Sequence, residues 1–215
     1  MLLEYKPPTE PYLDIIYQDE DILILNKPSG LLTVPGKAPE HKDSLDYRVR
    51  LVWPLARIVH RLDMATSGLV VMAMHAQSQR DLNKQFELRQ TKKRYVALLE
   101  GNLTEQKGTV KLPIRLDLDD RPKQLVDFEN GKNAETYWEI IQIEDDITRV
   151  YFYPITGRTH QLRVHAAHKN GLNAPIVGDD LYGKKGKRLH LHAEFIEFLH
   201  PKTMEKMSFL VAPEF

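Results

Sequence analysis

Most apolar residues of the chain lie in short runs that are separated by polar turns containing Gly, Pro, Asn or Asp. This pattern is typical of β-strands. It predicts strands at 15–17, 22–25, 69–74, 95–99, 110–114, 136–143, 148–153, 189–195 and 207–211. Three prolines within residues 7–11 predict an extended arm before the first strand. Many strands in hairpin-like succession predict a mixed, mainly antiparallel central sheet.

Three segments have the pattern of helices that would flank this sheet. Ser44 is a typical N-cap for a helix that Pro54 stops. The apolar spacing within 77–90 predicts an amphipathic helix. A third helix is expected within 156–171, where the final glycine would adopt a left-handed cap. The sequence therefore predicts an α+β fold organised as one domain over residues 1–215.

The composition is that of an ordinary globular domain, with 42% hydrophobic and 28% charged residues. Because the chain contains no cysteine, disulfides, thiolate metal sites and cysteine nucleophiles are excluded. Residues 1–8 lack the basic start and the long apolar run of a signal peptide. No apolar run approaches the roughly 20 residues of a membrane span. We therefore expect a soluble, cytoplasmic and monomeric protein that does not bind membranes.

The net charge by itself does not indicate a nucleic-acid partner, because 30 basic and 30 acidic residues give a formal charge of zero. The location of the charges matters more than their sum. Basic residues cluster within 84–94, at Arg121 with Lys123, and within 184–188. Each cluster taken alone is more often a solvated surface than a phosphate site.

The most informative segment is His60–Ala73, which reads HRLDMATSGLVVMA. Arg61 and Asp63 stand two positions apart in a short polar stretch, and small residues, a glycine and an apolar strand pattern follow. Catalytic side chains are often mounted on a loop that a rigid strand supports. From the local pattern alone, however, the commoner interpretation is that Asp63 caps nearby backbone N–H groups.

The whole segment resembles, residue for residue, the active-site signature of the RluA family of RNA pseudouridine synthases, which isomerise uridine within folded RNA. Three further segments resemble motifs of this family and occur in the same order, namely Asn26–Gly36, Lys92–Ala97 and Thr156–His165. The resemblance covers essentially the whole chain and implies the pseudouridine synthase fold. Since the N-terminus leaves no room for a separate S4-type RNA-binding domain, the chain is most similar to the compact subfamily, whose substrates are stem-loops of 23S rRNA and/or tRNA.

The reaction implied by this resemblance breaks a glycosidic C–N bond, turns the uracil and forms a C–C bond to the same sugar carbon. It needs no redox step or group donor, so no cofactor is expected, and no Gly-rich phosphate loop of a standard type is present. The resemblance makes Asp63 the nucleophile, whether at C1′ or at C6. It makes Arg163 the ion-pair partner that keeps this carboxylate ionised. It makes Tyr95 the base that removes the C5 proton and stacks on the target. Without the resemblance, Arg163 would be an exposed helix residue and Tyr95 a core or edge aromatic.

A target uridine that leaves its stack creates a gap in the RNA. The resemblance assigns Arg61 to fill this gap, because a guanidinium stacks on bases. A salt bridge is the ordinary alternative for this arginine. We expect His60 to orient the loop rather than to transfer protons. The residues expected to contact RNA are His60, Arg61, Lys92, Lys93, Arg158, His160 and Gln161.

Two other functions stay open at the level of the sequence. One is a non-catalytic RNA-binding or ribosome-assembly factor on the same scaffold, although all three expected catalytic residues are present. The other is a metal-dependent hydrolase built on the histidines at 160, 165, 168, 190 and 192. Their spacing is not that of an HExxH site, so no metal is expected. Relatives often carry a His-Pro pair where this chain has Ala174-Pro175, which bears on the choice of RNA target.

Overall fold

Residues 5–215 are described by the structure, a computed structural model. In chain order, the strands are β1 (Ile15–Gln18), β2 (Ile22–Lys27), β3 (Arg57–Ile58), β4 (Ser67–Ala73), β5 (Lys92–Glu100), β6 (Lys107–Lys111), β7 (Ile114–Leu116), β8 (Gln124–Val126), β9 (Glu135–Glu144), β10 (Ile147–Pro154), β11 (Leu191–Leu199) and β12 (Lys206–Leu210). The α-helices are α1 (Leu45–Val52), α2 (Ala76–Glu87) and α3 (Gln161–Ala167), and a short 3₁₀-helix spans Pro39–His41. The predicted α+β class, with a mixed and mostly antiparallel sheet, is confirmed.

Two compact units make up the chain. The first comprises the residues up to Lys92 together with Ala193–Glu214, and the second comprises Lys93–His192 with Phe215. A compact unit is not the same as a domain that folds alone, so the single domain expected over 1–215 stays a prediction. No helix among the described residues is long and apolar enough to cross a membrane.

In the first unit, β4 lies between β2 and β11, and β2 pairs antiparallel with both β1 and β4. Every residue of β4 is buried, and so are five of the six residues of β2. Strands covered on both faces consist of continuous apolar runs rather than alternating ones, which is the pattern of 22–25 and 69–74. Helix α2 packs on this sheet through Leu82, which joins a buried cluster with Ile24, Val71 and Phe198.

The extended arm of the first unit is tied to α1 by Arg48, whose side chain is completely buried. Its guanidinium makes two 2.7 Å hydrogen bonds with Asp43 and lies 4.6 Å from the ring centroid of Tyr12. It also donates to the carbonyl oxygens of Pro8 and Tyr12, at 2.8 and 3.2 Å. The arm itself has no regular secondary structure, as the prolines predict.

In the second unit, the sheet order is β5, β10, β9 and β6, and all neighbours in it are antiparallel. A separate two-stranded hairpin, β7–β8, packs on α3 through Ile114, Val126 and Val164. The sequence predicted one strand over 110–114. The structure instead has β6 and β7, because Pro113 has no N–H to continue the ladder. The three-residue β8 was missed.

Helix α3 is shorter than the predicted segment 156–171. Residues 156–160 form a loop, and the helix begins only after His160, which adopts a left-handed conformation with φ 53°. Gly171 does not take the expected left-handed cap. A Cβ there would lie 2.1 Å from the carbonyl oxygen of His165, so close approach explains this glycine.

Candidate active site

Asp63 lies in the loop that connects β3 to β4, and its side chain is half-buried. Residues 57 and 58 pair antiparallel with 73 and 72, so residues 59–66 form the turn of a long hairpin. The Asp63 carbonyl accepts the amide of Thr66 at 3.1 Å. No hydrogen bond or ion pair from the described residues reaches the Asp63 carboxylate. The local interpretation of Asp63 as a backbone-capping acid is therefore wrong.

Residues of the Asn26–Gly36 segment hold the backbone of the Asp63 loop through hydrogen bonds. The sequence alone did not indicate this role. The ammonium of Lys27, which is completely buried, donates to the carbonyls of Pro28, Leu31 and Met64 at 2.9, 2.8 and 3.1 Å. The Gly30 amide donates to the same Met64 carbonyl at 2.9 Å. A buried ammonium with several carbonyl acceptors fixes the backbone beside Asp63.

Two hydroxyl groups of the same segment complete the support. The Thr33 hydroxyl donates to the carbonyl of Leu62 at 2.6 Å and accepts its amide at 3.2 Å. The Ser29 hydroxyl donates to the carbonyl of Ala65 at 2.7 Å. The backbone is thus held on both sides of Asp63, at 62 and at 64–65. This pre-organises the carboxylate without using its own oxygens.

The His60 side chain is held by contacts within the protein, whereas the Arg61 side chain is exposed. The His60 ring stacks on Phe86 with a centroid distance of 4.9 Å, and its Nε2 accepts the amide of Val71 at 3.0 Å. These contacts hold the His60 ring within the protein. Its orienting role and its contact with RNA stay predictions. Arg61 is exposed, as a residue that stacks into RNA must be, and that role also stays a prediction.

The second residue of β4, Gly68, must be a glycine for two reasons. Gly68 has φ +114°, a conformation that side chains disfavour. A Cβ at this position would lie 2.4 Å from the carbonyl oxygen and 2.5 Å from the nitrogen of Ala193. The glycine therefore lets β4 approach β11 closely, and this fixes the base of the Asp63 loop.

Arg163 lies on α3 in the second unit and is 3% exposed, so it is not the exposed helix arginine of the ordinary interpretation. Its Nε and Nη2 bind Asp179 at 2.9 and 2.6 Å, and Nη2 also binds Asp180 at 2.9 Å. Asp179 is completely buried. Sequence reasoning missed both acids, because their pairing with Arg163 spans 16 and 17 residues of the chain. The ion pair between Arg163 and Asp63, which belong to different units, stays a prediction.

Gln161 is buried, and its side chain is engaged within the protein, so its predicted contact with RNA stays a prediction. Its carbonyl oxygen accepts the Thr156 hydroxyl at 2.7 Å and the Arg158 amide at 3.0 Å, and its amide donates to Glu135 and Thr136 at 3.0 and 2.9 Å. Because the side chain replaces backbone hydrogen bonds in the loop 156–160, the helix cannot start earlier.

The other two predicted RNA contacts of this loop differ from each other. His160 is only 9% exposed, and its Nδ1 lies 2.8 Å from the Tyr182 hydroxyl, so its side chain is also engaged within the protein. Its predicted contact with RNA stays a prediction. Arg158 is exposed and donates to the carbonyl of Asn133 at 3.0 Å. Its contact with RNA stays a prediction.

Tyr95, Lys92 and Lys93 all lie on β5. Tyr95 is half-buried and pairs with Phe152 across the sheet. The exposed Lys92 binds Glu197 at 2.8 Å, and this hydrogen bond lowers the pKa of the Glu197 carboxyl. The partner reduces the local positive charge that Lys92 would offer to a phosphate. The RNA contacts of both lysines and the base role of Tyr95 stay predictions.

Four of the five histidines considered for metal binding take part in hydrogen bonds within the protein. His165 is completely buried between the Thr136 hydroxyl and the Leu112 carbonyl, at 3.0 and 3.2 Å. Burial lowers its pKa to about 4, so the ring is neutral near pH 7. His168 and His190 each bond to a backbone group through Nδ1.

A different cluster, Asp19, Asp21 and His200, has the donor atoms that could hold a metal ion. Its hydrogen bonds account for the arrangement without one. His200 Nδ1 accepts two backbone amides, which places the ring proton on Nε2, 3.1 Å from Asp19. Asp19 in turn accepts two backbone amides at 2.8 Å each. Burial opposes the ionisation of Asp19, but these amides hold its pKa below the usual value.

Comparison with known proteins identifies the family of this chain. A family model described as RNA pseudouridylate synthase matches residues 21–168. The chain is 46% identical, over 98% of each protein, to the dual-specificity RNA pseudouridine synthase RluA of Escherichia coli (strain K12). It is 44% identical to the protein of the same name from Pasteurella multocida, over 100% of this chain and 99% of that one. The solved structure of human RNA pseudouridylate synthase domain containing 1 is 28% identical with a TM-score of 0.79, covering 97% of this chain and 86% of that one. The chain therefore belongs to the RNA pseudouridylate synthase family.

Proposed function

We propose that this protein isomerises uridine to pseudouridine in stem-loops of 23S rRNA and/or tRNA, and that it acts as a monomer in the cytoplasm. The observation that carries the proposal is the 46% identity, over 98% of both chains, to a dual-specificity RNA pseudouridine synthase. Similarity that extends along the full length includes all four motifs rather than the signature alone. RNA pseudouridylation is common to the family, and the two RNA classes are the further step that we propose.

In the proposed mechanism, the target uridine leaves its stack and Arg61 takes its place. The Asp63 carboxylate adds to C1′ or C6, the glycosidic C–N bond breaks, and the uracil turns so that C5 bonds to C1′. Tyr95 then removes the C5 proton, the N1 position gains a proton, and the carboxylate is released. Substrate and product are isomers, so no oxidant, reductant or group donor is consumed.

The surroundings of Asp63 support its role as the nucleophile. The backbone on both sides is anchored by buried groups, which keeps the carboxylate in one place without hydrogen bonds to its own oxygens. A nucleophile must keep its lone pairs available, and an aspartate used only for capping would not. Arg163 is the proposed partner that keeps the carboxylate ionised once RNA excludes water.

The test is release of tritium from RNA that carries 5-tritiated uridine, because C5 loses its hydrogen in the reaction. We expect the purified protein to release tritium and Asp63→Asn to fall to background while still binding RNA. Asp81→Asn, which removes a half-buried acid of α2 in the same unit, is the matched control and should retain activity. Full activity of Asp63→Asn would eliminate the proposed nucleophile. RNA binding without release by the wild-type protein would favour the non-catalytic RNA-binding factor.

The RNA target is tested in cells that lack the protein. Pseudouridine mapped by chemical adducts and reverse-transcription stops should be lost at particular sites of 23S rRNA, of tRNA, or of both. Loss in neither class would contradict the proposed substrates. Activity that EDTA abolishes would instead favour the metal-dependent alternative, for which the Asp19–His200 cluster supplies the donor atoms.

A further inference from the structure

The edge of the Arg163 guanidinium is fixed by two carboxylates of its own unit. Nε and Nη2 make a bidentate pair with Asp179, at 2.9 and 2.6 Å, and Nη2 also lies 2.9 Å from an oxygen of Asp180. Arg163 and Asp179 are 3% and 0% exposed, whereas the Asp180 side chain is 38% exposed. A buried bidentate pair sets the plane and the direction of a guanidinium more strictly than a single contact does.

The carboxylate that holds Arg163 is itself held by the backbone. Oδ1 of Asp179 accepts the amides of Leu181 and Tyr182, both at 3.0 Å, and the same oxygen binds Arg163. Rotation of the carboxylate would therefore break the turn and the arginine pair together. The direction of Arg163 is thus set by the backbone of residues 179–182.

The face of the guanidinium is supported by Tyr182, whose ring centroid lies 5.4 Å from the arginine Cζ. This distance is within the range of a cation–π interaction. The far end of the ring is anchored as well. The Tyr182 hydroxyl accepts the Gln124 amide of β8 at 2.7 Å and lies 2.8 Å from Nδ1 of His160. Because its hydroxyl is held by these contacts, the Tyr182 ring cannot rotate away from the Arg163 guanidinium.

We propose that Asp179 and Tyr182 are positioning residues for Arg163 in the pseudouridine synthase reaction, an inference that rests on the proposed function. The two acids already compensate the charge of Arg163. In its proposed ion pair, the arginine therefore acts through N–H donors whose direction is fixed. Loss of either support lets the guanidinium tilt, and a misplaced group slows the chemical step more than it weakens RNA binding.

The first test compares two variants that break a buried arginine–aspartate pair. Asp179→Asn removes the charge beside Arg163, and Asp43→Asn does the same beside Arg48, which makes two 2.7 Å bonds to Asp43. Both should lower thermal stability. At a temperature where both are folded, we expect the single-turnover rate at saturating enzyme to fall on the order of 100-fold only for Asp179→Asn. The enzyme concentration for half-saturation should change less than about threefold in both. Equal rates in the two variants would overturn the proposal.

The second test does not depend on Asp179→Asn folding. Tyr182→Leu removes the ring and should slow single turnover roughly tenfold. Tyr182→Phe keeps the ring but loses the hydroxyl anchor, so its rate should lie between those of Tyr182→Leu and wild type. Tyr12→Leu, which removes the ring beside Arg48, is the control and should leave the rate unchanged.

A double variant separates action through Arg163 from a general structural effect. In an Arg163→Lys background the guanidinium is absent, so Tyr182→Leu should cause no further loss of rate. Losses that multiply in the double variant, or a normal rate in Tyr182→Leu, would overturn the proposal. An inactive wild-type protein would instead contradict the proposed function, so the two failures are distinguishable.

Discussion

Replacement of Gly68 by alanine tests whether close contact between β4 and β11 holds the base of the Asp63 loop. The added Cβ would lie 2.4 Å from the carbonyl oxygen of Ala193, whereas ordinary contact begins near 3.4 Å. The backbone of β11 would therefore have to withdraw by about 1 Å. Since β4 and β11 are neighbours in the sheet, this movement would stretch the hydrogen bonds between them.

The chain offers a matched control in Gly101, which has φ +89° but no atom within 4 Å of an added Cβ. Gly101→Ala carries the backbone strain without the collision, and we expect a loss of roughly 1–2 kcal/mol. Gly68→Ala adds an overpacking cost of roughly 2–3 kcal/mol, for a total near ~4 kcal/mol. At about 3 °C per kcal/mol, these values correspond to about 12 °C for Gly68→Ala and about 4 °C for Gly101→Ala.

The assay is thermal unfolding followed by circular dichroism, with single-turnover tritium release measured below both transitions. Gly68→Ala should unfold at the lower temperature and release tritium more slowly than wild type, because the strand that carries the Asp63 loop has moved. Gly101→Ala should release tritium at the wild-type rate. Equal losses of stability in the two variants would refute the reasoning, since backbone strain alone would then explain why residue 68 is a glycine.

Three further predictions follow from buried polar groups. Lys27→Met keeps the aliphatic part of the side chain but removes the ammonium that three backbone carbonyls accept. The free energy of unfolding in urea should therefore fall by ~2–4 kcal/mol. An unchanged urea midpoint of unfolding would contradict this prediction. His165 is neutral when folded, with its pKa lowered to about 4 by burial, whereas the unfolded chain takes up a proton below about 6.5. Stability should therefore be full above pH 6.5 and fall by about 3 kcal/mol as the pH drops to 4, and His165→Gln should show a flatter profile in urea titrations at each pH. Gln161→Glu places a carboxylate oxygen against the Glu135 carbonyl and should lower the melting temperature. Weaker RNA binding with unchanged stability would instead support the predicted RNA contact of Gln161.

The positions of the strands could be predicted from the sequence because they depend on local patterns. Runs such as 22–25 and 69–74 are apolar enough to be buried on both faces wherever the chain places them. The errors arose where a contact distant in sequence overrides the local preference. The start of α3 moved to Gln161 because its side chain bonds across to 135 and 136. The requirement for Gly171 came from the carbonyl of His165 rather than from its own backbone angle.

By itself, the sequence determined the family, the class of reaction and the loop that carries Asp63, because these depend on residues that are close together in a motif. Only the tertiary structure identified the residues that hold the candidate site. Lys27 reaches Met64, Thr33 reaches Leu62, and Asp179 reaches Arg163 across separations of 37, 29 and 16 residues. Such contacts depend on strand register and on the direction of each turn, and no local periodicity encodes these. For this reason the motifs indicated which residues could carry the chemistry, and the fold determined which buried groups hold those residues in place.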